Sequence, residues 1–184
     1  MERTSHPALR VARPEDGTRL AEIYAPYVSA TPITFEVDPP GAVAMSERVE
    51  RTLARWPWLV WEAEGRVVGY AYASEHRARA AYRWCVEVAV YVDRHAHRRG
   101  VGRALYGALL PILERQGYRN AYAGITLPNA ASVGLHEAVG FVAVGVYRRI
   151  GWKLGAWHDV GWWSRDLAPH DPDPADPVPF PELR

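Results

Sequence analysis

The sequence predicts one mixed α/β domain, and three features carry that prediction. Residues 84–92 alternate strictly, with Trp84, Val86, Val88, Val90 and Val92 on one face and Cys85, Glu87, Ala89 and Tyr91 on the other, which is the period of a pleated strand. A loop at 93–100 containing Gly100 follows directly and leads into Val101, Leu105, Leu109 and Ile112, an apolar stripe at helical spacing. Upstream, 58–62 and 67–73 are rich in β-branched and aromatic residues and flank Glu64-Gly65-Arg66, the signature of a hairpin.

The other elements fall around these. Leu9 to Ala12 form a short strand, and Leu20, Ile23, Tyr24 and Tyr27 recur at helical spacing after Pro14. A second helix carries Met45, Val49, Leu53 and Trp56 and stops at Pro57, which has no N–H to continue it. The helix opened by Val101 is expected to kink at Pro111. A strand follows at 120–125, then a helix from about Asn129 to Val139 with Gly140 as its stop, then strands near 141–150 and 159–166. The order is β-α-α-β-β-β-α-β-α-β-β, without internal repeats and unlike a pure βαβ array. The domain is expected to span 1–167. Six prolines among acidic residues make 168–184 an extended tail, expected to be mobile or to wrap across a partner subunit.

Composition excludes several classes. With 184 residues and 48% hydrophobic content the chain fills one core, and 22 basic against 21 acidic residues leave a net charge of +1, unlike a dedicated nucleic-acid binder. Lys153 is the only lysine, and the arginine skew implies no recognition task. One cysteine, Cys85, cannot form an internal disulfide, and residues 1–7 show no apolar leader core, so the cytoplasm is the expected compartment. No run of about 18 apolar residues is present to span a membrane. Asp93, His95 and His97 are too sparse for a metal site, and none is expected. The tryptophans near the C-terminal strands, Trp152, Trp157, Trp162 and Trp163, suit core and subunit-interface packing better than base stacking.

The chemistry begins at His97-Arg98-Arg99-Gly100-Val101-Gly102, between a strand and a helix. Backbone N–H groups at a helix start, glycines that admit close approach and neighbouring arginines suit an anion, although a solvated basic turn is the plain alternative. No Gly-Lys-Ser/Thr closes the loop and no third glycine follows, which disfavours nucleoside triphosphates and nicotinamide cofactors.

In this context the loop resembles the Gln/Arg-x-x-Gly-x-Gly/Ala pyrophosphate loop of the GCN5-related N-acetyltransferases, with His97 standing where that family writes Gln or Arg. Four further blocks, 56–60 (WPWLV), 90–92 (VYV), 135–141 (LHEAVGF) and 157–161 (WHDVG), resemble the branch that acetylates phosphinothricin and methionine sulfoximine. The resemblance covers the chain to about Leu167. It implies the family's fold, a mixed, mostly antiparallel sheet of about seven strands flanked by helices, with splayed middle strands. Acetyl-CoA is the implied cosubstrate, its pantetheine arm added along the edge of Val90, Tyr91 and Val92 and its pyrophosphate on Arg98, Arg99, Gly100, Val101, Gly102 and Arg103. Asn129 is a further implied cofactor contact, and equally a helix N-cap.

Glu87 is the one charged residue inside the strongest strand, and a carboxylate there needs a partner or a purpose. One reading pairs it with Arg79 or Arg83; the other makes it a base that takes a proton from an attacking amine. His136 lies where the resemblance implies protonation of the departing thiolate, and a packed histidine is the alternative. The backbone N–H near Val90 is nominated as donor to the developing oxyanion. Cys85, on a strand with no adjacent histidine, is not expected to carry an acyl group.

For the acceptor, Arg77, Arg79 and Tyr82 precede the catalytic strand, and guanidinium forks suit a carboxylate or phosphinate. Phe35, Tyr106, Lys153 and Val160 resemble the family's pocket wall, the last two across a dimer interface. The expected acceptor is phosphinothricin, methionine sulfoximine or methionine sulfone, and the expected assembly a homodimer. A peptide N-terminus or antibiotic amine is the rival substrate, and a CoA-binding regulatory module the rival function.

Overall fold

The structure, a computed structural model, describes residues 8–183, so the leader reading on residues 1–7 lies outside it. Its strands are β1 (Ala8–Val11), β2 (Trp58–Ala63), β3 (Arg66–Glu75), β4 (Cys85–Val92), β5 (Asn120–Leu127), β6 (Val142–Lys153) and β7 (Ala156–Asp166). Its helices are α1 (Gly17–Ala30), α2 (Ala42–Leu53), α3 (Val101–Gln116) and α4 (Ala130–Ala138), in the predicted order. The strands form one sheet, β1-β2-β3-β4-β5-β7-β6. Every neighbouring pair is antiparallel except β4–β5.

Alternation along the strands sorts the core into two layers. Trp58, Val60 and Tyr70 meet Leu20, Tyr24, Val28, Met45 and Val49 of α1 and α2. Leu59, Ala71, Val86 and Val88 meet Leu105, Tyr106, Leu109 and Leu113 of α3 on the other face. The β2–β3 hairpin closes through Glu64 and Gly65, both left-handed at φ 53° and 75°, a pair whose twist matches that of the strands.

The sheet opens at its centre. β4 and β5 pair only at Cys85–Asn120, Val86–Ala121 and Glu87–Tyr122, while β4 runs on to Val92 and β5 to Leu127. Beyond Glu87 the facing edge of β4 has no strand partner, and the splay predicted by resemblance is there.

α3 runs through Pro111 to Gln116. Two local readings change. Trp56 lies outside α2, because the residue before Pro57 is pushed away from the helical region. The tail folds onto its own domain: Val178 N donates to Gln116 O at 2.8 Å, Phe180 N to Arg55 O at 3.0 Å, and Trp84 Nε1 to Ala175 O at 2.9 Å. Gln116, buried and sequence-distant, fastens both sides, its amide donating to Arg55 O at 2.9 Å and Val178 O at 2.8 Å.

Among the described residues no helix is long and apolar enough to cross a membrane. The outer strand β6 is bare in the single chain, exposing Val142, Val144, Val146, Ile150 and Trp152.

Candidate active site

The gap between β4 and β5 is a cavity of about 630 Å³ that passes between the two layers. Tyr106 of α3 and Asn129, Ser132 and His136 at α4 reach it from one side, and Tyr24 and the 33–36 loop from the other. β4 contributes Glu87, Ala89, Val90 and Tyr91, while Tyr147, Ile150, Val160 and Trp162 close the far end from β6 and β7.

Glu87 stands at the last rung before the strands part, its side chain 38% exposed. Burial pushes its carboxyl above the ordinary range, and the Arg77 charge opposes that. The predicted arginine partners are elsewhere: Arg83 pairs with Asp176 at 3.2 Å, and Arg79 lies away from the cavity. The group facing Glu87 is His76, whose Nδ1 is 3.5 Å from its Oε2.

His136 is buried and hydrogen-bonded on both ring nitrogens. Nδ1 is 2.7 Å from Ser132 O, and a carbonyl only accepts, so Nδ1 carries the proton. Nε2, 3.0 Å from the Tyr106 hydroxyl, is then the acceptor and Tyr106 the donor. Burial lowers the histidine's pKa against the pull of the Ser132 carbonyl, and raises that of Tyr106 far enough to keep the phenol protonated. The pair is neutral, so the cavity meets a phenol held by an imidazole instead of a free imidazolium acid.

At the other end, Val101 and Gly102 are buried, and a side chain on Gly102 would bring its Cβ within 2.9 Å of Leu135 Cδ2. Arg98 and Gly100 are left-handed at φ 60° and 78°, alternating with ordinary backbone in the manner of an anion-binding nest. Arg98, Arg99 and Arg103 are exposed around that turn, open to a phosphate. His97, exposed, lies against the end of β4, Nε2 at 3.1 Å from Val92 O and 3.0 Å from the Tyr27 hydroxyl. The Tyr91 ring is packed under α1, 4.8 Å from Tyr24 and 5.2 Å from Tyr27, and its register with Tyr70 turns its backbone to β3, so the open edge of β4 is offered by Val90 and Val92. Asn129 caps α4, its Oδ1 accepting from Ser132 N at 3.1 Å, and it also lines the cavity.

The acceptor residues divide. Phe35, Arg77, Tyr106 and Val160 line the cavity; Arg79 and Tyr82 do not, because the 77–83 loop carries them into a separate depression with Arg55 and Tyr118. Lys153 is not a wall residue either. It is buried, and its Nζ donates to Thr34 O at 2.7 Å, so it props the loop that presents Phe35. Phe35 also sits where Gly151 leaves room, since a Cβ there would fall 2.3 Å from its ring.

Sequence reasoning missed His76, Thr126, Tyr147 and Trp162, which join the cavity from β3, β5, β6 and β7. It also missed Glu36, held by Arg48 through bonds of 2.7 and 2.8 Å and by the Tyr24 hydroxyl at 3.0 Å. Each reaches the cavity through tertiary pairing, and only His76, one residue from Arg77, had a local signal. Asp93 and His95 engage each other through a backbone hydrogen bond of 2.9 Å, and among the described residues no cluster of three His, Cys, Asp or Glu is placed for a metal.

The acetyltransferase (GNAT) domain family matches residues 9–162. The phosphinothricin N-acetyltransferase of Streptomyces viridochromogenes is 43% identical over 92% of this chain and 93% of that protein. The L-methionine sulfoximine/L-methionine sulfone acetyltransferase of Salmonella typhimurium is 33% identical over 88% and 95%. The crystal structure of a phosphinothricin acetyltransferase from Sinorhizobium meliloti in complex with acetyl-CoA superposes with a TM-score of 0.84, at 34% identity over 89% of each chain. Fold, splayed strands and sequence kinship agree, and the chain belongs to the GNAT acetyltransferases.

Proposed function

We propose that this protein transfers the acetyl group of acetyl-CoA to the α-amino nitrogen of a small amino acid analogue such as phosphinothricin, methionine sulfoximine or methionine sulfone. The observation that carries this reading is the juxtaposition, in one cavity, of the half-buried Glu87 and the strand-free edge of β4.

An added chain hydrogen-bonds to an open strand edge, so Val90 and Val92, on either side of Tyr91, suit a pantetheine arm through their backbone, and the 98–103 turn suits its pyrophosphate. The thioester brought there supplies the acetyl group. The amine N–H proton goes to the Glu87 carboxylate as nitrogen bonds the carbonyl carbon, and the Val90 N–H donates to the oxygen that gains charge. As the C–S bond breaks, the one Tyr106 O–H turns from His136 Nε2 to the departing sulfur. Arg77, hydrogen-bonded to the Tyr147 hydroxyl at 3.4 Å, faces the acceptor's anionic end. The relatives named for phosphinothricin and methionine sulfoximine support this acceptor class.

A homodimer fits the same reading. β6 is a twelve-residue edge strand with both faces bare, and an exposed apolar edge of this length is ordinarily covered. Tyr147 and Ile150 on that strand line the cavity, so a second copy there would stand beside the acceptor. The protein is expected to work in the cytoplasm.

Thiol release from acetyl-CoA with the three analogues, ordinary amino acids and a short peptide tests the assignment. Saturable release confined to the analogues supports it; release with the peptide alone overturns the acceptor. Acetyl-CoA at about 100 times its Kd should stabilise the fold by about 2.7 kcal/mol, and no thermal shift at all would remove the cosubstrate from the reading.

A further inference from the structure

Glu87 has a companion that the reaction outlined above leaves without a task. His76 follows the last residue of β3, and Ser74, two residues earlier, is the register partner of Glu87. Its ring is fixed on two sides, stacked on Tyr122 at 4.6 Å with an interplanar angle of 13°, and edge-on to Trp162 at 5.6 Å. Tyr122 is itself the register partner of Glu87 on β5. Three strands thus converge to set one imidazole beside one carboxylate at the mouth of the gap.

The Nδ1 atom of His76 is buried and makes no hydrogen bond, although its ring lines the cavity and its side chain is 12% exposed. A buried nitrogen without a partner is costly unless a partner arrives. The one carboxylate it faces is Glu87, at 3.5 Å, a separation that closes to a hydrogen bond with a small rotation of either side chain. Catalytic hydrogen bonds are often long before substrate is present and shorten in the complex.

We infer that His76 is the positioning residue of Glu87: its Nδ1–H donates to the carboxylate, holds it toward the acceptor and favours its ionised form until it takes the proton from the amine. The proton leaves nitrogen as the N–C bond forms, passes to the Glu87 carboxylate oxygen that Nδ1–H does not hold, and stays there until solvent removes it, which restores the carboxylate. The inference rests on the reading of Glu87 as the base.

Both members are shifted in the directions that suit a base held by a neutral donor. Burial raises the Glu87 carboxyl, and burial with the Arg77 charge lowers the His76 imidazole, so the two affinities for a proton approach each other. The other titratable groups around the pair are Tyr72 and Glu75 on β3, Cys85 on β4, Tyr122 on β5 and Tyr147 on β6. Tyr72, Cys85 and Tyr122 are raised by burial and stay neutral near pH 7, Glu75 lies outside the cavity, and Arg77 is the charge that acts on both members of the pair.

Two measurements test the inference. In the full-length protein with ¹⁵N-labelled histidine, the His76 titration should move to lower pH in Glu87→Gln, because the carboxylate that favours the imidazolium is gone; an identical titration in both proteins would refute the pairing, whatever the acceptor proves to be. In the pH profile of kcat/KM, His76→Phe keeps the ring stack and loses Nδ1. The acid limb should then rise by about one pH unit, so that at pH values on that limb the rate falls about tenfold, with the KM for acetyl-CoA unchanged. His76→Asn returns a donor near the Nδ1 position and should bring the limb back toward wild type. A limb that stays in place in His76→Phe, or that moves equally in both variants, would overturn the role. If no analogue is acetylated, the acceptor assignment fails, and the titration still decides the pairing.

Discussion

The two ends of the cavity are made of different material. The end proposed for the cosubstrate is backbone: an unpaired strand edge, a left-handed Gly100 and a helix start, all within 90–103. The end proposed for the acceptor is side chain: Phe35, His76, Arg77, Tyr147 and Val160 come from segments more than 120 residues apart. A backbone site tolerates exchange of most side chains and fails when the conformation fails. A side-chain site fails one group at a time, so it is the end at which a single substitution can change the acceptor and leave the donor.

The largest expected effect lies where the two ends meet. Glu87→Gln keeps the shape and removes the base, and kcat/KM should fall by about 10²–10⁴-fold while acetyl-CoA still raises the melting temperature. A loss of both together would place Glu87 in the cosubstrate end and erase the distinction.

Next comes the phenol. Tyr106→Phe removes the donor to His136 Nε2 and leaves a buried imidazole nitrogen unmatched, which should cost about 1–3 kcal/mol of stability in urea unfolding, with a fall in kcat larger than any change in KM for acetyl-CoA. Unchanged stability would mean that water enters and satisfies the imidazole.

At the backbone end, Gly100→Val places a β-branched residue at φ 78°. The strain should raise the KM for acetyl-CoA about tenfold, equivalent to about 1.4 kcal/mol, and leave the preference among acceptors untouched. A changed acceptor preference would show that the two ends are mechanically coupled.

This division also explains what could be read before the fold was known. The strand at 85–92, the loop at 93–100 and the helix from Val101 are contiguous, and period, glycine and apolar stripe announce them in one stretch of chain. Glu87 was legible for the same reason, as a charge interrupting an apolar alternation. His76 was not, since nothing around it shows that Tyr122 and Trp162 will clamp it. Lys153 was assigned to the pocket wall, but its 119-residue reach to Thr34 O depends on the β6–β7 hairpin folding back over the 31–41 loop. Arg79 and Tyr82 were grouped with Arg77 by proximity, yet the chain turns after Arg77 and carries them to another surface. The tail looked coreless by composition, and what fastens it is a pair of backbone hydrogen bonds and a buried glutamine, which no apolar pattern signals.

The smallest expected effect concerns acid. His136 is neutral in the fold with a lowered pKa, so the unfolded chain, titrating near 6.5, binds the proton more readily. Stability contributed by the neutral ring is therefore fully present above about pH 6.5 and declines as the pH falls toward the folded value. By pH 5.5 the loss from this one group is at most about 1.4 kcal/mol, whatever the size of the shift, because it is bounded by protonation of the unfolded chain. Urea midpoints at pH 7.5 and 5.5 should thus converge for wild type and His136→Asn, whose amide can still donate to the Ser132 carbonyl but does not titrate. Glu87 acts in the opposite sense: its raised carboxyl binds a proton in the fold before the unfolded chain does, so acidification from neutral pH favours the fold at that site. The two groups lie in one cavity with opposed pH dependences, and Glu87→Gln should steepen the acid loss that His136→Asn flattens. Equal slopes in the two variants would show that neither group retains in solution the protonation state that the cavity imposes.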